Sequence, residues 1–414
     1  MRHLIDFGDL SRAEWEKLYQ RTSEIIDHPA DFMEVCKGKV AATLFFEPST
    51  RTNFSFQTAM LRVGGTVFGF ADPNSSSVAK GECLKDTIKM VSGYADVVVM
   101  RNPREGAAKA ASLYSDVPVI NAGDGGHMHP TQTTTDLTTI TRMLGGVDGI
   151  SIGLCGDLKN GRTVHSLIKA LAKFDNVKFY LISPRELAVP EYIRAFMKEK
   201  GLWSVEVTGL ENVIPQLDVL YMTRIQRERF VDPLEYERNK GIYVLTRRKL
   251  ERARKDMLVM HPLPRVDEIA LDVDDDPRAA YFQQARYGMF SRMAILSDLA
   301  NQPRIRPDAV EIGTTPVCSN PRCITQTDHY LPPLPRDTPG VPCSPSRHAA
   351  LRCVFHIQTA SPRPRWGPAA FLPVFMPDPA DSPWGPQLPR PPPWKSGDGR
   401  QGRFPPPRYR PPCR

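Results

Sequence analysis

The sequence predicts an α/β protein: two doubly wound parallel-sheet domains joined by a bridging helix, followed by a Pro/Arg-rich tail expected to be disordered. Three observations carry this reading. Short apolar and β-branched runs alternate with helix-like stretches over the first 300 residues, the rhythm of βαβ units whose strands are covered on both faces. That rhythm is interrupted once, by a longer helical stretch at about 131–144 closed by Gly145-Gly146, and then restarts. After Pro303 the composition changes: 27 of the 40 prolines fall in the last 114 residues, with one lysine, Lys395. Such a segment buries too little apolar surface to offset its chain entropy.

Taken in order, residues 40–46 form the first apolar run, bounded by Glu47-Pro48, and a helix is predicted from there to Val63. Residues 96–100 are a β-branched strand followed by the Ala-rich stretch 106–113. Residues 117–120 make another strand, ending in the turn 121–126. Beyond the bridging helix, strands are predicted at 150–155, 177–182, 204–207, 218–222 and 257–260, and a final helix at 277–299. The expected domains are therefore 1–132 and 133–284. The last helix, about 285–302, is expected to pack back on the first domain, and 303–414 is expected to be low-complexity tail.

The net charge of +8 belongs to the tail. Residues 301–414 hold 15 Lys and Arg against 7 Asp and Glu, whereas residues 1–300 hold 39 of each. A basic nucleic-acid face is thus not expected on the folded body. No run of about 18 apolar residues occurs, so no membrane span is expected. The early acid Asp6 and the lack of a long apolar stretch argue against a signal peptide, which makes the cytosol the expected compartment. Cys36, Cys83 and Cys155 are scattered and read as small buried hydrophobes.

Four polar motifs fall at predicted strand ends, where open α/β sheets bind ligands. The first is Phe45-Phe46-Glu47-Pro48-Ser49-Thr50-Arg51-Thr52. Here a strand gives way to a helix whose free N–H groups, hydroxyls and guanidinium suit a phosphate. Alone, it reads equally as an ordinary helix cap with an exposed arginine. The others are Met100-Arg101-Asn102-Pro103, His129-Pro130-Thr131-Gln132 and His261-Pro262-Leu263-Pro264-Arg265. A single histidine at a strand end is more often structural than catalytic; four such motifs together change that balance. The body carries neither a Gly-x-Gly-x-x-Gly nor a Walker-type Gly-Lys-Ser motif, so no cofactor is expected.

This combination resembles the aspartate/ornithine carbamoyltransferase family over residues 1–300. The resemblance implies that Ser49, Thr50, Arg51 and Thr52 hold the phosphate of carbamoyl phosphate, while Thr52, Arg101 and His129 donate to its carbonyl oxygen. Gln132 and the carbonyls of Leu263 and Pro264 would take its NH2. Thr52, Lys80, Arg101 and His129 would be the catalytic set. Arg162, in Asp157-Leu158-Lys159-Asn160-Gly161-Arg162, and Arg224 and Gln226, in Tyr221-Met222-Thr223-Arg224-Ile225-Gln226, would join Lys80 in binding aspartate. Two arginine forks match two carboxylates and would repel ornithine's cation. The Pro262-Leu263-Pro264 turn argues the same way, since ornithine enzymes typically carry Cys-Leu-Pro there.

The resemblance further implies that Glu47, Arg162 and Arg229 form an ion-pair set between the domains when the site closes. It implies a homotrimer in which the loop Ser75-Ser76-Ser77-Val78-Ala79-Lys80 enters a neighbour's site, with Ser76 or Ser77 favoured for the serine role. The reaction implied is the committed step toward pyrimidines. The rivals are an ornithine enzyme, or a relative using another amine, and a non-catalytic scaffold.

In the tail, Val317-Cys318-Ser319-Asn320-Pro321-Arg322-Cys323 resembles the start of the zinc domain of the family's regulatory chain, which makes such a chain a candidate partner. Only Cys343 and Cys353 stand near as further ligands. A structural zinc normally has four ligands, so 317–346 reads as a degenerate remnant. A polyproline partner-binding segment, or a GC-rich reading out of frame, are the alternatives for the rest.

Overall fold

The computed structural model describes residues 2–225, 241–304 and 320–328, all within one compact unit. The first sheet contains β1 (Val40–Phe45), β2 (Thr66–Phe70), β3 (Val97–Asn102) and β4 (Val119–Asp124), all parallel in the order β2-β1-β3-β4. The second contains β5 (Ser151–Cys155), β6 (Lys178–Ile182), β7 (Trp203–Val207), β8 (Val219–Met222) and β9 (Leu258–Met260), parallel in the order β7-β6-β5-β8-β9. Central strands such as β1, β5 and β8 are buried almost throughout, which is why they read as continuous apolar runs.

Among the described residues the helices of eight or more residues are α1 (Arg12–Asp27), α2 (Thr50–Arg62), α3 (Leu84–Ser92), α4 (Ala107–Tyr114), α5 (Pro130–Leu144), α6 (Arg162–Leu171), α7 (Glu191–Glu199) and α8 (Tyr281–Ala300). Helix α1 starts at a capping box in which Ser11 and Glu14 satisfy each other's backbone N–H. The last helix, α8, packs on α1, α2 and α5. Its Gly288 lets that approach happen, because a Cβ there would lie 2.7 Å from Thr135 Oγ1. One apolar core runs through these helices from Leu137 and Ile140 on α5 to Met293 and Leu296 on α8.

Several boundaries differ from expectation for local reasons. Helix α8 starts at Tyr281, not 277, because residues 278–280 extend the second sheet: Val259 N donates to Arg278 O and Ala280 N to Val259 O. Strand β4 runs on to Asp124 with a register shift against β3. Edge strand β2 escaped the sequence reading. Its half-exposed faces give no apolar run, and its Gly69 sits at φ 150° where a Cβ would strike Thr43 O at 2.0 Å.

Residues 320–328, which lie in the tail within the stretch 317–346 that reads as a degenerate zinc-domain remnant, dock on the loop before α4. Glu105 N donates to Arg322 O (2.9 Å), Ile324 N to Glu105 O (3.0 Å) and Asn320 Nδ2 to Glu105 Oε2 (2.9 Å). Cys323 and Ile324 are buried in the core formed by α3, α4 and the outer face of the first sheet. Two apolar side chains entering a preformed groove supply what the surrounding composition lacks. The Cys323 sulfur sits in this apolar shell with Thr325 Oγ1 at 3.3 Å. Cys318, Cys343 and Cys353 lie outside the described residues. Among the described residues no helix is long and apolar enough to cross a membrane.

Candidate active site

The C-terminal ends of the strands in both sheets face a cleft of about 970 Å³. Ser49, Thr50, Arg51, Thr52, Arg101, His129, Gln132, Arg162, Arg224, Leu263 and Pro264 all line it. Lys80 does not: it closes an exposed turn, Ser77–Lys80, away from this cleft, as do Ser75 and Ser76 beside it. Gln226 and Arg229 lie outside the described residues.

Three helix N-termini open on this space, and no side chain caps any of them. At α2 the capping residue is Ser49, whose hydroxyl donates to Thr52 Oγ1 (3.1 Å) instead of receiving a backbone N–H. At α5 the cap is His129, followed by Pro130, and at α6 it is Gly161, followed by Arg162. Uncapped N–H groups and the positive dipole end favour an anion at each. The side chains add to this. Among the described residues, Arg51, Arg101, Arg162, Arg224, Arg292 and Arg322 line the cleft against one carboxylate, Glu47. Partial burial, then the facing charge of Arg224, lowers the pKa of Arg51. The field suits a ligand with several negative charges.

The two guanidinium groups at the centre are placed by backbone. Arg101, at the end of β3, donates to Ala122 O (3.4 Å) and lies 3.1 Å from Glu47 Oε2. Arg162 donates to Gly125 O. Both pass over Gly123, where a Cβ would lie 2.9 Å from Arg101 Nη1 and 3.2 Å from Arg162 Nη2. Glu47 thus pairs with Arg101 here, and not with Arg162 as the family resemblance implied for a closed site. His129 is buried. Burial, then the charges of Arg162, Arg101 and Arg292, hold it well below its usual pKa, so the imidazole is neutral at pH 7.

His261 has a different part. Leu263 N donates to its Nδ1 (2.7 Å), so its proton is on Nε2, which donates to Glu268 Oε1 (2.7 Å). With both nitrogens engaged, His261 holds the turn after β9, with Leu263 in the left-handed region at φ 53°.

Sequence reasoning missed a buried polar group behind the cleft. Gln284 and Arg292 line it from α8 and lie eight residues apart, with Gly288 midway, a polar stripe on an otherwise apolar helix. That four-residue spacing was the available signal. Arg292 Nη1 donates to Ser55 Oγ (2.9 Å), its guanidinium lies over the Phe56 ring at 5.1 Å, and burial lowers its pKa to about 10. Asp136, on α5, accepts from Gln132, Gln284 and Tyr221.

Comparison with known proteins agrees with this geometry. Residues 2–142 match the aspartate/ornithine carbamoyltransferase carbamoyl-P binding domain, and residues 148–299 match the Asp/Orn binding domain. The chain is 58% identical over 296 residues to the aspartate carbamoyltransferase catalytic subunit of Clostridium novyi, covering 72% of this chain and 97% of that one. Among solved structures, the catalytic subunit of M. jannaschii aspartate transcarbamoylase superposes with a TM-score of 0.69 at 51% identity, covering 72% and 98%. The Trypanosoma cruzi aspartate transcarbamoylase in complex with carbamoyl aspartate and phosphate gives 0.68 at 41% identity, covering 72% and 96%. Two matched domains spanning residues 2–299, with the arginine-lined cleft between their sheets, establish that the chain belongs to the aspartate/ornithine carbamoyltransferase family.

Proposed function

We propose that this chain transfers the carbamoyl group of carbamoyl phosphate to the α-amino group of L-aspartate, giving N-carbamoyl-L-aspartate and phosphate, in pyrimidine biosynthesis in the cytosol. The observation that carries this is the six-arginine cleft with three uncapped helix N-termini, which balances a phosphate and two carboxylates. Ser49, Thr50, Arg51 and Thr52 take the phosphate. Arg101, neutral His129 and Thr52 donate to the carbonyl oxygen. That oxygen gains charge as the amine's electron pair forms the new C–N bond, so donors there stabilise the transition state more than the ground state. The C–O bond to phosphate then breaks, its electron pair leaving with the phosphate, which carries away the proton lost by the attacking nitrogen. Gln132 and the carbonyls of Leu263 and Pro264 hold the NH2, while Arg162, Arg224 and Gln226 hold aspartate. A carbamoylation assay offering aspartate and ornithine separately tests this: product with aspartate is expected, and product with ornithine alone would refute it.

The reading extends to a homotrimer with shared sites. Lys80 lies outside its own chain's cleft, so a catalytic part for it needs a second copy. Phe54 and Leu61 on α2 and Phe68 on β2 are exposed, which supports a covered face there. Inactive Lys80→Ala and Arg51→Ala chains are expected to regain partial activity when mixed and reassembled. Background activity in demonstrated mixed trimers would reject sharing. Association with a regulatory chain is part of the same proposal. What supports it is the segment 320–328, whose sequence resembles the start of that chain's zinc domain and which docks on the loop before α4.

A further inference from the structure

Behind the cleft, one buried carboxylate gathers three donors from three elements. Asp136 Oδ1 accepts from Gln132 Nε2 on α5 and from Gln284 Nε2 on α8, each at 2.7 Å. Its Oδ2 accepts from the Tyr221 hydroxyl on β8 at 2.9 Å. Asp136 and Tyr221 are fully buried and Gln284 nearly so. Asp136 does not line the cleft; Gln132 and Gln284 do.

The arrangement fixes which end of each amide faces which way. Burial pushes the Asp136 pKa up to about 7, but a proton would sit on Oδ2, so Oδ1 accepts in either charge state and each glutamine turns its NH2 toward it. Gln132 is left with its Oε1, an acceptor, for the cleft. Gln284 is left with Oε1 as well, and that oxygen accepts from His261 N at 2.9 Å. His261 in turn receives the Leu263 N–H on Nδ1, which holds the turn through Pro264.

We infer that Asp136 is the positioning residue for the carbamoyl NH2. It orients the Gln132 oxygen directly, and through Gln284 and His261 it orients the turn whose carbonyls face the same group. Its consequence is specificity for a carbamoyl phosphate over an acyl phosphate, in which a methyl group replaces the NH2. Without Asp136 the Gln132 amide is free to rotate and present its own NH2, which a carbamoyl NH2 cannot accept from. This rests on the proposed roles of Gln132, Leu263 and Pro264.

The test compares carbamoyl phosphate with acetyl phosphate as ligands of the full chain. Asp136→Ala is expected to cut the preference for carbamoyl phosphate at least tenfold by weakening that ligand alone. Asp136→Asn keeps an oxygen opposite both amides and turns its NH2 to the Tyr221 oxygen, so it is expected to hold the preference within about threefold. Equal weakening of both ligands, or an unchanged preference in Asp136→Ala, would overturn the inference. Should Asp136→Ala fail to fold, Gln284→Leu decides. It severs the link to the turn while leaving Gln132 bonded, and is expected to lower the preference severalfold; no change would overturn the inference. Gln132→Ala separates the underlying reading. If that variant keeps full preference, the NH2 site itself is wrong; if it loses preference while Asp136→Ala does not, only the role of Asp136 falls.

Discussion

The two halves of the cleft are built differently. On the first sheet's side, Ser49 to Thr52 are one unbroken stretch at a helix start, with Arg101 and His129 at the ends of adjacent strands β3 and β4 or just beyond. Each group stands at or beside a helix start or a strand end. On the second sheet's side, Arg224 stands on the loop after β8, and the turn 261–264 is held by a relay through His261, Gln284 and Asp136. The first half is an anion site that local chain geometry creates. The second depends on contacts between distant elements, which fits a side that must accept an amino acid and admit attack.

The largest expected effect comes from breaking the first half. Arg51→Ala should lower kcat/KM at least 100-fold, because losing a charge-assisted contact to the phosphate costs about 3 kcal/mol. Circular dichroism should show an intact fold, since Arg51 is at the exposed start of α2. Near-normal kcat/KM would remove the phosphate assignment.

Breaking the second half should be gentler and selective. Arg224→Ala is expected to raise KM for aspartate about tenfold to 100-fold while that for carbamoyl phosphate stays within about threefold. Steady-state kinetics with each substrate varied would show it. Equal shifts in both constants would mean that the halves do not divide the substrates.

The smallest effect should come from the segment that walls the first half from outside. A chain ending at Gln302 exposes the groove that Cys323 and Ile324 fill. Losing that burial costs about 2–3 kcal/mol, and Tm should fall by several degrees. Specific activity should remain within a few-fold, because the groups assigned to the substrates precede that point. An inactive truncated chain would make the segment, with Arg322 on the cleft, part of the working site.

Much of this was legible in the sequence where a motif and its function are contiguous. The stretch Glu47 to Thr52 announces a strand end, a helix start and an anion site together, because all three follow from local backbone. The central strands were legible because burial on both faces demands apolar runs. Edge strand β2 and the buried stripe Gln284-Gly288-Arg292 were not, since half-exposure and a lone polar face resemble ordinary variation. The docking of residues 320–328 was not legible for the opposite reason: composition averages over the proline-rich surroundings, while docking depends on two side chains.

By itself the sequence determined the α/β class, the neutral body and the chemistry of the motifs, because periodicity, charge and helix-start signals act over a few residues. Only the tertiary structure decided that Glu47 pairs with Arg101, that Lys80 stands outside its own cleft and that His261 serves the turn. It alone joined Asp136 to Tyr221 and Gln284, 85 and 148 residues away. Those facts depend on which distant groups meet in a low-dielectric interior, where each buried donor or acceptor must find a partner. Sequence spacing carries no record of that pairing.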